Sequence, residues 1–267
     1  MSEKKFPSSF LPRGDAAKRP SPLGTAVFVG LRTVDIFIQY GILANHLASP
    51  LLDLIGVEHI SSFESPGPAA VAFGLPLKPL IILGMAVGTA IKQNYWVLSL
   101  SNEEMPVGNA ISISLFNTIF NSVNTILSLT AASHYLTGSS FWENPIEVTP
   151  LFLFFTATYT AGTLVEVGAE IQRKYFKQDP KNKGKPFTGG LFGLARHINY
   201  GAYTVMRASY AFACGGWVPG ILVAGFFGYD FARRGIPVLD DYCSKRYGDD
   251  WKKYKQEVKW QLLPGIY

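Results

Sequence analysis

Lys181 to Tyr203 reads KNKGKPFTGGLFGLARHINYGAY. A basic loop punctuated by Gly and Pro runs straight into an Arg-His-x-Asn-Tyr cluster, and that cluster opens a long apolar segment. Cations at the mouth of an apolar segment are unfavourable unless something anionic compensates them. The stretch therefore reads either as an anionic cofactor site at a membrane surface or as an ordinary positively charged membrane flank.

Composition favours a membrane. Of 267 residues, 48% are hydrophobic, 14% aromatic and only 16% charged, and the mean hydropathy is +0.16, which together point to an all-α polytopic membrane protein. The net charge of +5 does not imply nucleic acid, because the basic residues collect beside apolar segments rather than along a soluble face. Two cysteines, Cys214 and Cys243, make neither a disulfide framework nor a zinc site, and the four histidines stand singly, so no metal is expected.

Outward from the opening stretch, the chain predicts five to six transmembrane helices. Met1 to Pro22 is polar and basic and reads as a flexible tail. Thr25 to Ala48 is a span whose Arg32, Asp35 and Gln39 share one face that must point inward. The next apolar stretch is broken at Leu75-Pro-Leu-Lys-Pro79, so that a helix either begins after Pro79 or kinks there. Val107 to Leu136 carries Asn117, Asn121, Asn124 and Ser128 in one stripe, suited to interhelical hydrogen bonds or to a polar channel. Pro150 to Val167 is the fourth span and ends in Glu166, Glu170, Gln172, Arg173 and Lys174. Ala202 to Phe231 reads as a tight or re-entrant hairpin around Gly215-Gly216, with Arg207 on its way into the membrane. Ile236 to Tyr267 has the periodicity of an amphipathic helix lying on the membrane face.

Charge orients these segments. The loops after the first and third spans contain acids, among them Asp53, Glu58, Glu64, Glu143 and Glu147, and no Lys or Arg, whereas seven Lys or Arg fall between Arg173 and Arg196 inclusive. Both termini and the basic loop are therefore expected in the cytosol. On that face gather the Glu166/Glu170/Gln172 helix end, the basic loop, the Arg196 cluster and the aromatic tail. They offer cations for phosphates, amides and carboxylates for sugars, and aromatic rings for stacking, as NADPH requires. No strand followed by GxGxxG exists, so a Rossmann site is excluded. S-adenosylmethionine would use many of the same groups but carries no phosphates.

The motif Gly190-Leu-Phe-Gly-Leu-Ala-Arg-His-Ile-Asn-Tyr200, followed by Asp240-x-x-Cys243, Lys245-Arg-Tyr-Gly248, Trp251, Tyr254 and Pro264-Gly-Ile-Tyr267, resembles the C-terminal half of the sterol C14- and Δ7/Δ24-reductases. That family shares its core with the steroid 5α-reductase-like proteins and the DUF1295 group, whose acidic-x-Gln element is similar to Glu170-x-Gln172. The resemblance implies an integral membrane reductase of the endoplasmic reticulum that passes hydride from NADPH to a C=C bond in a sterol-like or other lipophilic substrate. By position it implies a cofactor site lined by Arg196, His197, Asn199, Tyr200, Asp240, Tyr247 and Trp251 and completed by Glu166, Glu170 and Gln172. Lys174 at the same helix end and Arg207, which needs an anionic or carbonyl partner, are added as expected cofactor ligands, and hydride addition calls for a proton donor, for which Tyr200, Tyr203 and Glu166 are the candidates. Two positions depart from the family: Ile198 replaces a proline, and Tyr203 stands where the family has an acid.

The resulting division is a tail at 1–22, substrate-side transmembrane helices at 23–160 and a cofactor-binding region at 161–267. The alternatives are an S-adenosylmethionine-dependent methyltransferase of a lipid or prenylated substrate, because such enzymes share the Arg-His-x-x-Tyr core, and a non-catalytic lipid-binding scaffold. The expected partners are a lipophilic small molecule and membrane lipids, without nucleic acid; the oligomeric state is open.

Overall fold

A computed structural model describes residues 20–61, 63, 71–101, 103–130 and 148–267. The expected tail at 1–22 lies outside the described residues apart from its last three, as do Glu64, Glu143, Glu147 and the end of the Val107 to Leu136 segment. The described chain is all-helical. It comprises α1 (Pro22–Ala44), α2 (Ser49–Leu54), α3 (Leu77–Tyr95), α4 (Val107–Ser128), α5 (Pro150–Gln178), α6 (Ile198–Gly215), α7 (Trp217–Asp230), α8 (Ile236–Tyr247) and α9 (Asp249–Glu257). No strand occurs among the described residues; two isolated bridges join His59 to Thr130 and Ala72 to Leu75.

Three helices, α1, α4 and α5, are long and apolar enough to cross a membrane by length and composition. The polarity of the bundle is inverted relative to a water-soluble protein. Val34, Phe37, Leu115, Ile119, Phe154, Leu164, Leu222 and Phe226 are exposed, whereas Arg32, Asp35, Gln39, Asn117, Asn121 and Asn124 are buried. Hydrocarbon solvates the first set, and only other protein groups can satisfy the second. The inward faces expected for α1 and α4 are both present.

Helix boundaries follow local chemistry. Pro22 and Pro150 open α1 and α5 where a missing N–H is harmless, and the Thr149 hydroxyl caps α5 by accepting from Phe152 N at 3.2 Å. The Leu75 to Pro79 break resolves differently from both expected forms. α3 begins at Leu77, so Pro79 falls in its first turn, where no intrahelical bond is lost, and Lys78 is buried. α5 runs on past Val167 to Gln178, carrying the expected acid cluster on a continuous helix. Gly216, at φ 81°, ends α6 and starts α7, which makes the expected hairpin with a single linking residue. A π-turn at Phe231–Gly235 carries α7 into α8, and Gly248 at φ 55° divides the tail into two short helices where periodicity predicts one.

The apolar core joins α1, α3, α5 and α6 through Ile42, Leu43, Ile82, Met85, Phe152, Tyr159, Met206 and Tyr210. α5 packs along α6, and α1 along α4. A polar layer lies between these pairs.

Candidate functional site

Midway along α1, Arg32 and Asp35 form a fully buried ion pair, Nη2 to Oδ2 at 3.1 Å. Their i, i+3 spacing places both on the face turned toward α4. Asn121 of α4 donates to Asp35 Oδ2 at 2.7 Å, and Gln39 donates to Asp35 Oδ1 at 2.9 Å. The Arg32 guanidinium also reaches Gln93 Oε1 at 2.6 Å on α3 and Thr118 Oγ1 at 3.2 Å. Gln93 donates to Asn117 Oδ1 at 2.7 Å. Arg207 enters from α6, donating to Asn121 Oδ1 at 3.3 Å and to Asn117 Oδ1. The asparagine stripe is thus a bridge between two buried guanidinium groups.

The network continues toward the basic end of the bundle. Arg207 Nε donates to the Tyr203 hydroxyl at 3.0 Å, Lys92 Nζ lies 4.7 Å from the centre of the Tyr203 ring, and Lys92 pairs with Glu166 at 2.7 Å. Five of the chain's ionisable groups, Arg32, Asp35, Lys92, Glu166 and Arg207, are held in one connected interior.

One turn further along α5, Glu170 accepts from Asn199 Nδ2 at 2.8 Å and pairs with Arg173. Glu170 and Arg173 edge a cleft of about 350 Å³ whose walls also include Trp96, Ser101, Glu103, Lys174 and Lys177. Lys174 Nζ bonds Ser99 O at 2.6 Å, and Lys177 bonds the Tyr247 hydroxyl at 3.0 Å with its ammonium 4.8 Å from that ring. Burial pushes the Tyr247 phenol above its ordinary pKa, with Cys243 adding to the effect.

The Arg-His-x-Asn-Tyr cluster divides between roles. Asn199 reaches the cleft through Glu170. Arg196 Nη1 donates to the carbonyls of Val258 at 2.6 Å and Lys259 at 3.1 Å, while the backbone N–H groups of Arg196 and His197 donate to Trp260 O and Gln261 O. The tail is therefore latched across the start of α6. Gly201 permits it: a Cβ there would lie 2.0 Å from Leu262 O. His197 is buried and stacks on Tyr200 at 5.8 Å; Tyr200 stacks in turn on Phe231 at 4.5 Å.

Asp240 and Trp251 bond each other at 2.7 Å within the tail, and Lys255 also reaches Asp240 at 3.1 Å. Tyr254 donates to Phe192 O at 2.7 Å, and burial pushes its phenol well up. Gln172 accepts from Leu191 N at 2.9 Å and so orders the loop before α6. Of the expected cofactor residues, Glu170 and Lys174 line the cleft, and Asn199 and Tyr247 join it through their bonds to Glu170 and Lys177. The structure places Arg207 with Tyr203 and Glu166 in the interior, and Asp240 with Trp251 in the tail.

Sequence reasoning missed Lys92 and Gln93. A charge in the last turn of an apolar segment normally snorkels, so Lys92 gave no inward signal, and its partner lies 74 positions away. Lys177 was passed over as part of a charge run.

The family described as protein of unknown function DUF1295 matches residues 105–258. The probable O-methyltransferase ustE of Ustilaginoidea virens is 38% identical over 243 residues, covering 89% of this chain and 83% of the relative. The Delta(14)-sterol reductase ERG24B of Gibberella zeae is 27% identical over 46% of this chain and 36% of its own. A Delta(14)-sterol reductase of Methylotuvimicrobium alcaliphilum is 31% identical over 40% of this chain and 28% of its own. The chain thus spans about a third of the length of these two reductases.

Proposed function

This chain belongs to the DUF1295 family and is related through its C-terminal half to the sterol reductases, and from that premise we propose that it is an integral membrane reductase, passing hydride from NADPH to a C=C bond in a sterol-like or other lipophilic substrate. The observation that carries the choice of cofactor is the cleft on α5: Arg173, Lys174 and Lys177 line one space with Glu103 and Glu170, three cations against two carboxylates. Three cations suit a phosphate-bearing ligand, and S-adenosylmethionine has no phosphate to meet them.

The donor set fits NADPH. Arg173, Lys174 and Lys177 would hold its phosphates, Glu170 with Asn199 its sugar or amide groups, and the rings of Trp96 and Tyr247 its flat surfaces. When bound, the cofactor supplies the hydride. The chain's own task is then to exclude water and to deliver a proton at the substrate. Of the three candidate donors, Glu166 is committed to Lys92 and Tyr200 is stacked on Phe231, while Tyr203 is held by Arg207 through its oxygen and retains its O–H. Tyr203 is the donor in this reading, in the position where an acid was expected.

Residues 23–160 contribute most of the substrate side and residues 161–267 the cofactor side. The basic loop favours a cytosolic side for the cleft and both termini, and the membrane of this reading is that of the endoplasmic reticulum. Partners are a lipophilic small molecule and the surrounding lipids, with no nucleic acid.

A methyltransferase is the second reading, favoured by the probable O-methyltransferase of Ustilaginoidea virens, 83% of whose length is matched. The detergent-solubilised chain titrated separately with NADPH and S-adenosylmethionine tests the choice. Tighter binding of NADPH is the expected result. Tighter binding of S-adenosylmethionine reverses the assignment, and binding of neither leaves a lipid-binding scaffold.

A further inference from the structure

Arg32, Lys92 and Arg207 face Asp35 and Glu166 across the interior network. Among the described residues, that leaves one positive charge in excess at the depth of the membrane-crossing helices. Glu170 does not cancel it, because Arg173 pairs with Glu170. α4 contributes amides and hydroxyls only. An uncompensated charge in such surroundings is strongly disfavoured, since neither water nor lipid screens it.

The excess has an open side. Arg32 and Asp35 are sealed at 0% exposure and every guanidinium nitrogen of Arg32 has a protein partner, whereas Glu166 keeps 19% and Tyr203 is half-buried. Tyr203 is where the two other cations meet: Lys92 Nζ and Arg207 Cζ lie 4.7 Å and 5.2 Å from its ring centre. Its oxygen accepts from Arg207 Nε, and its own O–H proton finds no acceptor among the described residues. Phe227 and Phe231 stand edge-on to the same ring at 5.1 Å and 5.9 Å, giving the position an apolar wall. A hydrogen-bond donor, an excess of positive charge and an aromatic wall thus surround one side chain.

We propose that this point is an oxyanion site: the lipophilic ligand carries an acidic oxygen, a phenol or an enol, and is bound in its ionised form against Tyr203, between Lys92 and Arg207. An oxyanion neutralises the excess charge and accepts the Tyr203 proton in a single contact, which a neutral hydroxyl or an alkene does not. The site serves either transfer, holding the bound phenolate in one case and, in the other, the enolate formed from a neutral conjugated carbonyl. Hydride addition to the far carbon of a conjugated carbonyl moves the C=C electron pair onto oxygen and leaves an enolate. Methyl transfer to oxygen begins from a phenolate. Both place negative charge on oxygen, and neither builds the carbocation that protonating an isolated alkene would require.

The test uses an alkyl-substituted nitrophenol, coloured only when ionised, with the detergent-solubilised full chain and no cofactor. The bound probe is expected to titrate about 1 pH unit below its value in protein-free detergent, a tenfold preference for the phenolate. Its methyl ether, which lacks the acidic oxygen, is expected to bind at least about tenfold more weakly. The charged groups on the elements around the probe are Arg32 and Asp35 from α1, Lys92 from α3, Glu166 and Glu170 from α5, Arg207 from α6, and Asp230, Arg233 and Arg234 from the end of α7 and the turn that carries Phe231.

Lys92→Met removes the excess and should abolish the shift. Glu166→Gln raises the excess to two and should enlarge it, a response in the opposite direction that a misfolded variant does not give. No binding of the probe, an unshifted or raised titration, equal binding of the methyl ether, or a smaller shift in Glu166→Gln each overturns the proposal. Because cofactor is absent from the measurement, its failure is distinct from a failure of the hydride-transfer reading.

Discussion

Arg207 on α6 donates to Asn121 Oδ1 on α4 at 3.3 Å, while the amide nitrogen of the same asparagine donates to Asp35 at 2.7 Å. One side chain thus satisfies a buried cation with its oxygen and a buried anion with its nitrogen. Only an amide of this length offers both.

Asn121→Ala should destabilise the bundle by about 2 to 3 kcal/mol, because it removes two bonds to charged groups, each worth more than the roughly 0.6 kcal/mol typical of a hydrogen bond between membrane helices. Unfolding in mixed micelles measures it. A loss no greater than that of an exposed α4 substitution such as Ile119→Ala would remove the network from the stability of the fold.

Gly201→Ala should lift the tail from α6, since its Cβ cannot coexist with Leu262 O. Proteolysis at Lys253, Lys255 or Lys259 should accelerate about tenfold, as expected for local opening that becomes about 1.4 kcal/mol easier. Unchanged cleavage would mean that the latch is not held at this contact.

Arg173→Ala and Lys174→Ala should each weaken NADPH binding about tenfold, in line with one lost charge-assisted contact. Arg196→Ala should act differently, releasing the tail through the lost Val258 and Lys259 contacts and altering affinity less than either. Calorimetry on the three variants separates the cleft from the latch. Equal losses in all three would return Arg196 to the cofactor.

Alkaline pH should also release the tail. Burial raises the Tyr254 pKa above its unfolded value of 10.0, so its contribution is full below that pH and is lost as pH rises through the folded value. Ionisation also removes the proton donated to Phe192 O. Near-ultraviolet circular dichroism should show a step above about pH 10 that is missing in Tyr254→Phe, itself weaker by about 1 kcal/mol at neutral pH. A step of the same size in that variant would assign it elsewhere.

The sequence made the inward faces legible wherever the signal was local. Arg32, Asp35 and Gln39 share a face by spacing alone, and so do the asparagines of α4, because a polar stripe in an apolar helix has only one direction to turn. The hairpin at Gly216 was legible for the same reason, since two glycines before a Trp-Val-Pro leave few alternatives. Long-range pairing was not legible. Lys92 needs Glu166 and Gln93 needs Asn117, and no spacing rule relates them. Arg196 shows a second limit: a guanidinium suits a phosphate and a pair of carbonyls equally well, so the sequence names the donor and not the acceptor. In the tail, the helical period continues across Gly248, and only the backbone turn there reveals two helices.

The order in which the network's parts leave the ribosome matches the order in which they are needed. Arg32 and Asp35 emerge together on α1, three residues apart, and enter the bilayer as a self-neutralised pair. Asn117 and Asn121 follow on α4 and can dock on that pair without bringing any charge of their own. Arg207 comes last, when its two amide acceptors are already in place, so the last guanidinium to arrive meets partners already synthesised, whereas Lys92 has to wait 74 positions for Glu166.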